Sequence, residues 1–189
     1  STFTLLVSVL LSAQCTDVNV NNVTKNIYPK YNKPSHFVKL GRKKIERLIK
    51  RIGIFRVKAK SIFYLSKTLV EKYKGKVPNT YEKLEQLPGV GHKTASVVMS
   101  QGFGFPAFPV DTHIHRLAQR WGLTNGKNVV QTEKDLKEIF PKKCWNRLHL
   151  QIIWYGREYC KARDCYGITC KICKSCYPNR KKPIKTKKA

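Results

Sequence analysis

The stretch Leu87-Pro88-Gly89-Val90-Gly91-His92-Lys93-Thr94-Ala95 decides how this chain is read. It separates two segments of helical periodicity. Pro88 ends the first, and two glycines one residue apart permit positive φ in a tight turn. The peptide N–H groups that open the next helix have no partners within it. Such a turn can hold a phosphate through those donors and the positive end of the helix dipole. An ordinary helix–helix turn uses the same residue types, so the flanks must arbitrate.

Working outward, almost every periodic segment reads as helix. Ile45, Leu48, Ile49 and Ile52 fall on one face, with most of the neighbouring basic residues opposite. Ile62, Leu65, Leu69, Val70 and Tyr73 form a second stripe, and Ala95, Val98, Met99 and Gly102 a third. Ile114, Leu117, Ala118 and Trp121 form a fourth, closed by Gly122. Asn79 and Glu82 suggest a capping box opening a short helix to Leu87. Further helices are expected at 3–13, 18–28, 133–140 and 145–157. Residues 103–110, with Pro106 and Pro109, read as a connecting loop, and no sustained alternating run of strand type is present. The expected fold is all-α.

The chain has 189 residues, with 38 Lys or Arg against 11 Asp or Glu, a formal charge of +27. That length suits one compact domain or two small lobes. At 41% apolar residues a core can form, which excludes disorder throughout. The longest apolar stretch, Phe3 to Ala13, is interrupted by Thr4, Ser8 and Ser12 and is too short to span a bilayer. No basic segment precedes it, so a secretory signal is a poor reading, and Ser1 in place of Met suggests that N-terminal sequence is missing. The charge calls for a polyanionic partner, nucleic acid or anionic membrane. No segment pairs a basic face with bulky interfacial aromatics, which disfavours the membrane. Nine of the basic residues lie between Gly41 and Lys60, and six more between Arg180 and Lys188.

Cys15 and Cys144 stand alone, whereas Cys160, Cys165, Cys170, Cys173 and Cys176 crowd together. An odd total with a close cluster suits a metal site in a reducing compartment better than a disulfide framework. Four thiolates fit a tetrahedral zinc or a [4Fe–4S] cluster, and spacing does not separate them.

The hairpin Leu87–Ala95, followed by Val110-Asp111-Thr112-His113-Ile114, resembles the helix-hairpin-helix DNA glycosylases, and among them the endonuclease III family. Leu10-Leu11-Ser12-Ala13-Gln14-Cys15-Thr16-Asp17 is similar to that family's early helix and turn. Ile52-Gly53-Ile54-Phe55 is similar to its wedge loop, and Tyr155-Gly156-Arg157-Glu158-Tyr159-Cys160 to the approach to its iron–sulfur cluster. The resemblance runs from about residue 3 to 176 in the family's order. It implies a helical glycosylase domain over 1–157 with the hairpin at 81–100, a cysteine lobe at 158–177, and a basic tail at 178–189 expected to be disordered.

Lys93 is the implied nucleophile. The helix dipole, basic neighbours and partial burial would favour its neutral amine, which can attack a sugar C1′ and displace the base. The resulting imine acidifies the C2′ hydrogen, so one lysine supports both glycosylase and lyase steps. Adenine-mismatch glycosylases resemble the chain but usually lack this lysine. Asp111 reads locally as an N-cap. The resemblance adds that its carboxylate faces Lys93 and stabilises positive charge on the sugar. Gly89, Val90, Gly91, His92 and Thr94 of the hairpin, and His113, are implied DNA contacts. His92 stands where an arginine is often found. Gln14 and Ile54 match the gap-filling glutamine and apolar wedge that replace an extruded nucleotide.

The family's cluster is bound by Cys-x6-Cys-x2-Cys-x5-Cys, whereas this chain reads Cys160-x9-Cys170-x2-Cys173-x2-Cys176. A [4Fe–4S] cluster on Cys160, Cys170, Cys173 and Cys176 is the expectation. Cys165 in place of Cys160, zinc, or no metal are the alternatives. The implied protein is an intracellular, DNA-associated monomer that removes oxidised pyrimidines from double-stranded DNA and cleaves abasic sites. A non-catalytic DNA-binding module and a glycosylase for other lesions are the competing functions.

Overall fold

Regular structure in this chain is entirely helical, as the periodicity predicts. The computed structural model describes residues 1–189 and divides into two units, Ser1–Phe105 and Pro106–Ala189. The division therefore falls inside the proline-bearing loop and not near residue 157. The physical reason is that the cysteine segment shares a core with the helices that precede it. No helix is long and apolar enough to cross a membrane.

The first unit contains α1 (Thr2–Ser12), α2 (Asp17–Thr24), α3 (Pro34–Leu48), α4 (Phe55–Tyr73), α5 (Tyr81–Glu85) and α6 (His92–Val97). Helix α3 opens on Pro34 and is kinked at Gly41, whose φ of 71° breaks the helical run. It ends at Leu48, earlier than the stripe suggests. Ile49 and Ile52 remain buried because the core, not the helix, requires them there. Helix α4 buries Ile62, Leu65 and Leu69 but leaves Val70 exposed. It ends on Lys74 and Gly75, with the Gly75 N–H reaching back to the Leu69 carbonyl at 2.8 Å. Helix α5 is capped by Thr80, whose side chain accepts from the Lys83 N–H, so the expected cap at Asn79 is one residue early. Helix α6 widens into a π turn over Val98–Gly102. There Gly102 lets the turn approach α1, since a Cβ would sit 3.0 Å from the Thr2 methyl.

The second unit contains α7 (Thr112–Trp121), α8 (Val129–Ile139), α9 (Trp145–Glu158) and the short α10 (Lys171–Cys176). Ile114, Leu117 and Ala118 of α7 lie at the centre of its core, and Gly122 with φ 74° closes that helix. The 178–189 tail has no helix, yet it is tied to this unit. Arg180 donates to the carbonyls of Arg120 and Gly167 at 2.8 and 3.0 Å. The Ile184 N–H meets the Tyr166 carbonyl at 2.9 Å, and Lys187 and Gln119 exchange a pair of hydrogen bonds. The tail expected as a disordered arm is instead held against this unit by side-chain and main-chain hydrogen bonds to carbonyls and to Gln119.

Candidate functional site

Gly89 has φ 80°, and a Cβ there would lie 2.7 Å from the Ser61 Cβ. The turn thus needs glycine for both conformation and space. Leu87 and Val90 are buried in the core, and the Val90 N–H donates to the Leu87 carbonyl at 3.0 Å within the turn. Gly91 occupies the N-cap of α6, and no side chain caps that helix. Lys93 is its second residue and is exposed, as is His92, while Thr94 is half-buried. The partial burial expected for Lys93 is absent. His92 stacks on Tyr81 and pairs with Glu85 at 2.8 Å.

Gln14 and Ile54 occupy two exposed loop tips of the same unit, with left-handed φ of 53° and 49°. That conformation costs roughly 1–2 kcal/mol for an ordinary residue. A β-branched residue rarely adopts it, so the tips are held by their surroundings. A Cβ on Gly53 would lie 3.7 Å from the Gln14 carbonyl, which brings the two tips side by side.

In the second unit Asp111 is the N-cap of α7. Its Oδ1 accepts from the Ile114 N–H at 2.8 Å, which leaves Oδ2 outside the cap. His113 is half-buried, with Arg116 3.4 Å from its Nδ1. Two buried histidines escaped the sequence reading, which had no periodic or motif signal to single them out. His149 lies in α9, where burial lowers its pKa, opposed first by its hydrogen bond to the Trp145 carbonyl and then by the Asp111 charge. His115 is held by Thr132 at 2.8 Å, and burial lowers its pKa as well.

Cys160, Cys165, Cys170 and Cys173 converge, all four buried, with their sulfurs within 4.8 Å of one another. Cys176, expected as a ligand, is exposed and lies outside this group, and Cys165 takes its place. Cys173 is buried in the middle of α10, whereas Cys176 is the last residue of that helix and is exposed where the chain leaves it. Arg120, fully buried, donates to the Cys160 sulfur at 3.2 Å and to the carbonyls of Lys161 and Ala162. Arg116 donates to the carbonyls of Gly156 and Cys160. Burial pushes the Cys160 thiol up to about 11, with Arg120 opposing. Burial also raises Cys165, but hydrogen bonds from Thr169 and from nearby peptide N–H groups outweigh it and bring the thiol down to about 5. Four buried thiols facing each other beside two guanidinium groups form a donor set suited to a thiolate-bound metal. Cys160 and Cys165 stand 3.9 and 3.8 Å from Cys173. Thiolates at 2.3 Å from one tetrahedral ion would be about 3.8 Å apart, whereas a four-iron cube holds them wider.

Residues 7–142 match the family described as "HhH-GPD superfamily base excision DNA repair protein". The endonuclease III of Bacillus subtilis (strain 168) is 42% identical over 184 residues, covering 97% of this chain and 84% of that protein. The chain belongs to the endonuclease III family. The Escherichia coli (strain K12) endonuclease III is 44% identical over 163 residues, covering 86% of this chain and 77% of its own length. Among solved structures, a trapped endonuclease III–DNA covalent intermediate superposes with a TM-score of 0.87 at 42% identity, over 91% of this chain and 81% of that one. A thermostable thymine-DNA glycosylase gives 0.80 at 24% identity over the same shares, which shows the shared fold alone. Membership in the endonuclease III family makes this a base-excision DNA repair protein.

Proposed function

We propose that this chain is a bifunctional DNA glycosylase and abasic-site lyase that removes oxidised pyrimidines from double-stranded DNA in the cell. The observation that carries the reading is Lys93, an exposed primary amine at the second position of the helix leaving the glycine turn. In this reading its neutral amine attacks C1′, the N-glycosidic bond breaks, and the base leaves with the bonding electrons and a proton. The C1′–O4′ bond then breaks, O4′ takes up a proton as the sugar ring opens, and the imine formed on Lys93 acidifies the C2′ hydrogen. Loss of that proton breaks the C3′–O bond, the 3′ phosphate leaves, and hydrolysis returns the amine. Asp111 supplies negative charge where the sugar becomes cationic, and its free Oδ2 is the atom available for that role. Peptide groups of Gly89, Val90 and Gly91, with His92, Thr94 and His113, contact the DNA. Gln14 and Ile54 fill and part the stack. The test is an activity profile over duplexes each carrying one lesion. Excision followed by nicking, strongest on oxidised pyrimidines, supports the reading; purine lesions preferred throughout would overturn it.

The four converging cysteines hold a metal centre in the same reading, a [4Fe–4S] cluster as the family resemblance implies. When bound it supplies a rigid thiolate-ligated core beside α7, and no step of the chemistry passes through it. The close sulfur separations favour a second reading, a single zinc. Brown protein with about four irons per chain supports the cluster; colourless protein with one zinc supports the alternative.

A further inference from the structure

Lys58, 4% exposed, is a buried cation that the chemistry above does not use. It lies in the first turn of α4. Its Nζ donates to the carbonyls of Leu11 and Ala13 at 2.8 and 2.6 Å, across more than forty residues of sequence. Those carbonyls end α1 immediately before Gln14. A helix C-terminus carries unpaired carbonyls and partial negative charge, and an ammonium satisfies both. The same residue's backbone N–H bonds the Ile54 carbonyl at 3.2 Å. One residue therefore grips both left-handed tips, by side chain on one side and by main chain on the other. Asn19 adds a second tie, its amide donating to the Arg51 carbonyl at 3.0 Å and the Cys15 sulfur at 3.3 Å.

We infer that Lys58 is a positioning residue for duplex opening, holding the Gln14 tip in register with the Ile54 tip so that both enter the base stack as one element. The inference rests on the assignment of Gln14 and Ile54 as the inserting residues. Strained tips relax unless their surroundings over-determine them. Without the ammonium, the Leu11 and Ala13 carbonyls lose their partner and Gln14 loses the force that keeps it beside Ile54. The lysine touches neither sugar nor base, so its effect belongs to opening the helix and not to bond breaking.

The experiment measures borohydride trapping rates of the chain on a duplex with one abasic site and on the single strand bearing the same site. The ratio of the two rates isolates opening from chemistry. Lys58→Met should lower that ratio by roughly tenfold or more, the scale of a lost buried charge-assisted bond. Gln14→Ala should lower it too, and the double variant should fall no further than Lys58→Met, because coupled residues are not additive. A Lys58→Met ratio at the wild-type value, including a uniform slowing on both substrates from partial unfolding, overturns the inference. So does a double variant whose loss is the product of the two single losses. An unchanged ratio for Gln14→Ala alone instead rejects the tip assignment, and the inference with it, and that arm identifies which has failed.

Discussion

Capping α7 occupies a single carboxylate oxygen of Asp111, which leaves the other for the proposed stabilisation of the sugar cation. Asp111→Asn should keep the fold, since an amide caps as well as a carboxylate, while slowing excision on the order of a hundredfold through the lost charge. Single-turnover kinetics beside a thermal melt check both halves, and wild-type excision would reduce Asp111 to a cap. The cysteines make a second residue-level case. Cys165→Ser should abolish metal binding and Cys176→Ser should leave it, as read by metal content of the purified protein. Retention in the first and loss in the second would restore the ligand set that spacing suggested. Lys93, Gln14 and Ile54 stand out in the sequence because each sits in a motif whose chemistry has a pattern, and three of the four converging cysteines were legible from their spacing. The fourth cysteine was not, because which thiols face inward depends on where α10 begins, and six residues carry too little periodicity to place a helix. Lys58 was also invisible: one lysine in a basic run looks like solvated charge until its carbonyl partners are seen.

Among the elements, α7 and α9 each bury a histidine whose pKa is lowered from 6.5 by desolvation. The sign follows directly. Below about pH 6.5 the unfolded chain binds protons that the folded chain refuses, so stability is present above that pH and is lost as pH falls from it. Urea midpoints should therefore drop below pH 6.5, and His149→Gln should flatten the decline; a midpoint that rises on acidification contradicts this account of His149. Helix identities were readable wherever an apolar face repeats over two or more turns, as in α4, α7 and α9. Ends were not, because tertiary packing overrides local signals there. Ile49 and Ile52 stay on the apolar face after α3 has stopped, and Thr80 caps α5 although Asn79 is an equally good capping type.

At the scale of the whole molecule, 38 basic residues against 11 acidic make binding to any duplex a matter of counterion release. Affinity for undamaged duplex should fall steeply as salt rises, and the log–log slope should change little in Lys93→Ala, because one contact among many is removed. The all-helical architecture was legible from periodicity, but the division into two units was not. The cysteine segment reads as a separate lobe by composition, while its sulfurs are part of the core around α7. The tail likewise reads as disordered by charge and is held by specific hydrogen bonds of Arg180, Ile184 and Lys187 that composition does not reveal. Borohydride trapping on an abasic duplex tests Lys93 as the nucleophile. The wild-type chain should form a covalent complex with the DNA, and Lys93→Ala should form none while still binding the duplex. Undiminished trapping by Lys93→Ala would contradict the account.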